Sequence, residues 1–152
     1  MKLLHIPKTG GTSLLVSGIP GGHHITYKPG EKYITIIRDP VDWTLSYFQE
    51  QTERKNIRLD QWLKEEFCNF QTKWLAKKIL GKSKVNRKVL NEVIDILKKD
   101  FKVLVTSKLQ DFTKVHVNKA RKKYSLLEGE KEMILERNNL DRKLYKWAIT
   151  KE

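Results

Sequence analysis

The sequence predicts an α/β domain in which a parallel sheet is covered by helices on both faces. The first observation is Tyr33-Ile34-Thr35-Ile36-Ile37, a β-branched, nearly continuous apolar run of the kind buried on both sides of a parallel sheet. The second is the succession of short apolar run, glycine turn and helix start across Lys2–Val16. The third is an amphipathic pattern leading straight into a strand pattern. Val89, Leu90, Val93, Ile94 and Leu97 share one helix face, ahead of Phe101-Lys102-Val103-Leu104-Val105-Thr106. Strands that alternate with helices argue for parallel pairing and right-handed crossovers. A chain of 152 residues is expected to be a single domain, 1–152, long enough to bury a core.

In order, Lys2–His5 reads as the first strand and Gly11–Ser17 as the first helix, which Gly18-Ile19-Pro20-Gly21-Gly22 ends. His23–Tyr27 reads as a brief strand, and the Pro-Gly pair makes Lys28–Glu31 a turn. After the Tyr33–Ile37 strand, Asp39 is an N-cap and Pro40 the first residue of a helix. Helical spacing of Trp62, Leu63, Phe67, Trp74, Leu75 and Ile79 gives two helices, Leu59–Phe67 and Phe70–Leu80. Gly81–Lys84 is a basic turn, Arg87–Lys99 a helix and Phe101–Thr106 a strand. A further helix opens at Ser107 or Lys108 and turns Leu109, Phe112, Val115 and Ala120 inward. The last helix runs over Asn139–Thr150, with Leu140, Leu144, Trp147 and Ala148 on one side.

The formal net charge is +13, with lysine and arginine thickest at Lys77-Lys78, Lys82–Lys88 and Lys119–Lys123. Such a basic surface attracts polyanions such as nucleic acid, acidic glycans or anionic membranes. No stretch has the apolar length of a membrane span, and a glycine loop from residue 5 leaves no room for a signal-peptide core. The single cysteine, Cys68, rules out an internal disulfide, suits a reducing, cytoplasmic setting, and reads as packing. No His/Cys/Asp cluster stands at ligand spacing, so no metal is expected.

The chemistry concentrates in His5-Ile6-Pro7-Lys8-Thr9-Gly10-Gly11-Thr12-Ser13, between the first strand and the first helix. A turn there gathers backbone N–H groups where the helix dipole favours an anion. Gly10 and Gly11 admit a ligand close to the backbone, Lys8 adds a full charge, and Thr12 and Ser13 add hydroxyls that can also cap the helix. The pattern is a cradle for a phosphate-like group. It is not G-x-x-x-x-G-K-[ST], because the lysine precedes the glycines.

That loop closely resembles the 5′-phosphosulfate loop of sulfotransferases that use 3′-phosphoadenosine 5′-phosphosulfate (PAPS), especially their carbohydrate-modifying branch. Arg38-Asp39-Pro40, with Ser46 eight residues after the arginine and Phe48 following, is similar to the 3′-phosphate motif of the same family. Trp43 stands where the family often has arginine. Two weaker stretches match in order: Asn69-Phe70-Gln71-Thr72-Lys73-Trp74-Leu75-Ala76, whose Gln71 and Thr72 would line the cleft, and Asn138-Asn139-Leu140-Asp141-Arg142-Lys143-Leu144-Tyr145.

The resemblance implies a reduced, P-loop-like sulfotransferase fold, and an enzyme that moves the sulfuryl group from PAPS to a hydroxyl or amine and releases PAP. Lys8 would be catalytic at the leaving phosphate, with Thr9, Gly10, Gly11, Thr12 and Ser13 around the 5′ end and Arg38 and Ser46 on the 3′-phosphate. About two dozen residues separate the loop from Arg38, a short interval that leaves acceptor specificity open, whether carbohydrate or another anionic molecule. A general base near neutral pH is expected from His24 or His23, in that order, with Glu31 as a further candidate. His5 reads as ordering the loop and His116 as part of a basic helix. The alternatives are a non-catalytic module binding PAP, another nucleotide or a polyanion, and a kinase-like phosphotransferase. The absent Walker pattern disfavours the kinase, and no helix-turn-helix, zinc or RNP signature makes nucleic acid an obligatory partner.

Overall fold

The computed structural model describes residues 1–53, 56–112 and 124–151. Its centre is a four-stranded, all-parallel sheet: β1 (Lys2–Leu4), β2 (Gly21–Gly22), β3 (Tyr33–Ile37) and β4 (Phe101–Val105), in the order β2-β1-β3-β4. β3 is buried at all five residues, as its unbroken apolar run requires.

The second strand is not His23–Tyr27 but the glycine pair just before it. Gly21 and Gly22 pair with Leu3 and Leu4, and Leu3 N–H donates to Pro20 O at 2.7 Å. Gly21 has φ 144°, and a Cβ there would strike the backbone of Leu3. Glycine is required for a backbone approach this close, so the strand carries no apolar signature.

Eight helices surround the sheet among the described residues: α1 (Gly11–Val16), α2 (Pro40–Thr52), α3 (Leu59–Trp62), α4 (Phe70–Leu80), α5 (Arg87–Asp100), α6 (Leu109–Phe112), α7 (Glu130–Arg137) and α8 (Asn139–Thr150). Leu4, Tyr33, Ile37, Phe101 and Val105 bury one sheet face against α4, α5 and α8. Leu3, Ile34 and Ile36 bury the other against Leu14 of α1 and Leu109 of α6. A separate core joins α2, α3 and α7 through Val41, Phe48, Leu59, Trp62, Cys68 and Ile134. Cys68 is only 3 % exposed and serves as packing.

The expected helix over Leu59–Phe67 is broken. α3 stops at Trp62, Leu63 leaves the helical region with ψ 84°, and a 3-10 turn covers Glu65–Phe67. The break lets Trp62 and Phe67 stack at 4.6 Å with ring planes 4° apart, which residues five apart on one straight helix cannot do. Val115, Ala120, His116 and the basic run Lys119–Lys123 lie outside the described residues. No helix among the described residues is long and apolar enough to cross a membrane.

Candidate active site

The carboxyl end of each strand delivers one piece to the same edge. β1 runs into His5–Ser13, β2 into His23, β3 into Arg38 and β4 into Thr106. In open parallel sheets that edge is where ligands bind.

The loop is held from three sides. Trp43 Nε1 donates to Pro7 O at 2.8 Å, Arg38 Nη1 to Lys8 O at 2.9 Å, and Thr106 Oγ1 to Thr9 O at 2.7 Å. Trp43 thus braces the loop from α2. Lys8 adopts φ 65°, a left-handed conformation costing a non-glycine residue about 1 kcal/mol or more. Such strain persists only where the surroundings over-determine it, as these bonds do. Thr9 is fully buried and its hydroxyl donates to Ile6 O at 2.8 Å, so its side chain shapes the cradle and only its backbone can face a ligand. Gly10 is the N-cap of α1, without a side-chain cap, at φ 93°. Thr12 and Ser13 lie inside the first turn, half-buried, and do not cap the helix as the sequence suggests.

Gly11 is needed for a different reason. A Cβ on it would enter the ring of His5, which is 4 % exposed and packed between Gly11 and His23. Gly11→Ala should therefore lose about 1–3 kcal/mol to overpacking, seen as a melting temperature several degrees lower.

Arg38 is positioned by its backbone. Gln71 Oε1 accepts from Arg38 N–H at 2.9 Å and Gln71 Nε2 donates to Arg38 O at 2.8 Å, a two-point clamp that continues β3 by one residue. Gln71 is fixed in turn by Asp141, whose carboxylate accepts from Gln71 N–H (3.1 Å), Thr72 N–H (2.8 Å) and Thr72 Oγ1 (2.7 Å). Asn69 Oδ1 accepts from Leu140 and Asp141 N–H at 2.9 and 3.1 Å, while Asn138 Oδ1 accepts from Asn69 N–H at 2.8 Å. The first turns of α4 and α8 therefore cap each other, satisfying donors that a helix start leaves open. Burial pushes the Asp141 carboxyl above the usual range, and the three donated bonds pull it back. Gln71 and Thr72 are fully buried in this network and do not line a cleft. They act on the site only by holding Arg38. Burial lowers the proton affinity of the Arg38 guanidinium while Asp42 and Asp39 raise it, and arginine remains charged.

Asp39 accepts from Val41 and Asp42 N–H at 2.9 and 3.1 Å, and Pro40 opens α2 as the sequence predicts. α2 carries Ser46, half-buried, and Glu50 one turn later on the same helix face. Glu50 Oε2 lies 3.0 Å from Lys8 Nζ, with the two side chains 45 % and 30 % exposed. The loop, Arg38 and Glu50 thus meet at Lys8, with Ser46 one turn before Glu50 on α2.

The histidines are placed differently from one another. His23 stacks on His5 with ring centroids 4.1 Å apart, sets its Nδ1 3.1 Å from His5 O, and meets the edge of Trp74. It sits beside the loop on the β2 side. His24 lines a shallow pocket with Lys2, Glu31 and Tyr33, at the amino ends of β1 and β3. Glu31 is tied there to Lys2 Nζ at 2.8 Å and accepts from Tyr33 Oη at 3.0 Å. Glu31 is thus tied to the amino end of β1, and His24 turns into the same pocket with its ring against Gly22.

Burial, with His23 alongside, pushes the His5 pKa down to about 4. An unfolded histidine titrates near 6.5, so between these values the unfolded chain binds more protons and stability rises with pH. The contribution is complete above about pH 6.5 and falls away on acidification, by about 2 kcal/mol at pH 5 and about 3 kcal/mol at pH 4. Urea unfolding at pH 7 and pH 5 should show this loss in the native protein, and a smaller one in His5→Phe.

Two residues of the site, Glu50 and Thr106, lie outside the motifs, and Gln71 stands inside one in a role that the motif does not suggest. Glu50 was legible only as the residue one turn beyond Ser46, while Gln71 as a clamp and Thr106 as a brace depend on pairings between distant parts of the chain. Compared with known proteins, the chain matches no family model, no curated protein and no solved structure.

Proposed function

We propose that the chain is a PAPS-dependent sulfotransferase of reduced, P-loop-like form. It moves the sulfuryl group of PAPS to a hydroxyl or amine of a carbohydrate or other anionic acceptor and releases PAP. The observation that carries the reading is the bond from Arg38 Nη1 to Lys8 O, which spans 30 residues and ties the two phosphate-binding motifs into one unit. A donor with phosphates at both its 5′ and 3′ ends needs two such groups side by side. In this reading Lys8, Thr12, Ser13 and the backbone of Thr9, Gly10 and Gly11 hold the 5′-phosphosulfate. Arg38 and Ser46 hold the 3′-phosphate.

Because α1 has only six residues, its dipole is small, and the charge-assisted bonds of Arg38 supply most of the attraction for the donor. Sulfuryl transfer, like phosphoryl transfer, needs in-line alignment and relief of the charge that develops on the leaving oxygen. Lys8 supplies that charge relief in the transition state. The net charge of +13 draws in the anionic donor, and a cytoplasmic setting suits the lone thiol of Cys68.

A ligand bound only by the native state stabilises it, by about 2.7 kcal/mol at a hundredfold excess over Kd. PAP should raise the melting temperature, and adenosine 5′-monophosphate should do so less. No shift at millimolar PAP would contradict the proposal.

A further inference from the structure

We infer that Glu50 is the group that takes the proton from the acceptor, an assignment that rests on the sulfotransferase reading. Lys8 marks the reacting centre. If its ammonium meets the oxygen that leaves sulfur, any group within hydrogen-bond reach of Nζ stands beside the reacting centre. Glu50 Oε2 is at 3.0 Å, held on α2 one turn from Ser46, so its position is set by a helix of 13 residues rather than by a loop. At 45 % exposed, its carboxylate is open to an arriving acceptor. The other groups suited to the task are elsewhere. His24 and Glu31 share the pocket at the amino ends of β1 and β3. His23 is stacked on His5 on the β2 side, whereas Lys8 leans toward α2.

The step balances without a further reactant. A lone pair of the acceptor oxygen forms the new O–S bond, and the bond from sulfur to the 5′-phosphate oxygen breaks with its electron pair going to that oxygen. Lys8 offsets the charge arriving there. The acceptor's proton passes to the Glu50 carboxylate and then to water, and no atom is oxidised or reduced. In the free protein Glu50 occupies Lys8. Donor binding recruits Lys8 to the phosphate and leaves the carboxylate free beside the sulfur.

The test uses the full chain with PAP for binding and PAPS with molar glycerol as a generic hydroxyl acceptor, PAP release being the readout. Glu50→Gln keeps the shape and removes the base. Its kcat should fall about a hundredfold or more, the usual contribution of a general base. Its PAP affinity should equal or exceed that of the native protein, since the carboxylate that competes for Lys8 is gone. Glu50→Asp should recover part of the rate, while His24→Ala should keep it. Glu50→Gln with native kcat would overturn this assignment and leave the sulfotransferase reading standing, as would an equal fall in kcat and PAP affinity, which marks a structural role. A native protein that binds no PAP, or binds it and releases none from PAPS, would overturn both.

Discussion

Lys8→Ala is expected to lower kcat by about two to three powers of ten while changing PAP affinity far less. Only an interaction stronger in the transition state than in the ground state accelerates a reaction, and in the proposed transfer the charge that Lys8 would meet is largest as the S–O bond breaks. Its ion pair with Glu50 is half-exposed, so breaking it costs little stability. The φ of 65° at Lys8 provides a control. Lys8→Gly removes the same charge and also relieves the left-handed strain, so it should be at least as stable as the native protein and equally inactive. Single-turnover rates, calorimetry with PAP and urea melts of both variants separate these effects. A raised KM for PAPS with unchanged kcat would show that Lys8 only binds.

Arg38→Ala should weaken PAP binding by about 2–4 kcal/mol, or roughly 30- to 1000-fold, by removing charge-assisted bonds to the 3′-phosphate in a partly desolvated place. The bond from Arg38 to Lys8 O adds a second consequence. Without it the loop loses one of its braces, so adenosine 5′-phosphosulfate, which lacks the 3′-phosphate, should also bind somewhat less well. The loss for PAP should exceed the loss for adenosine 5′-phosphosulfate by about tenfold or more, one charge-assisted bond's worth. Equal losses would mean that Arg38 serves the loop alone. Arg38→Lys keeps the charge but lacks the planar fork that reaches carbonyl and phosphate together, so it should rescue only part of the affinity.

The parts of the fold legible in the sequence were those whose signals are local. Tyr33–Ile37, Phe70–Leu80 and Asn139–Thr150 begin and end where apolar periodicity and caps place them. β2 was not legible because its two glycines are selected for contact with Leu3, which leaves no side-chain pattern. α7 was not read because Ile134 is its one buried residue among those described, too little to mark a face. The break at Leu63 depends on partners far away: Arg137 Nη1 donates to Leu63 O at 3.0 Å across 74 positions.

The same distinction runs through the site. Lys8, Gly10, Gly11, Arg38 and Ser46 stand in short motifs whose chemistry can be read residue by residue. The geometry that joins them cannot. Gln71 and Thr72 were legible as a motif and misread as cleft residues, since only the pairing of α4 with α8 reveals them as buried caps. Proximity along the chain likewise favoured His24, which lies against Gly22 and lines a pocket with Lys2, Glu31 and Tyr33.

A crystal structure of the chain with PAP tests most directly whether one site binds both ends of one nucleotide. It should place the 5′-phosphate against Lys8 and the backbone of residues 9–13, and the 3′-phosphate against Arg38 and Ser46, with Lys8 moved off Glu50. PAP at another edge of the sheet, or a 3′-phosphate that touches neither Arg38 nor Ser46, would contradict it.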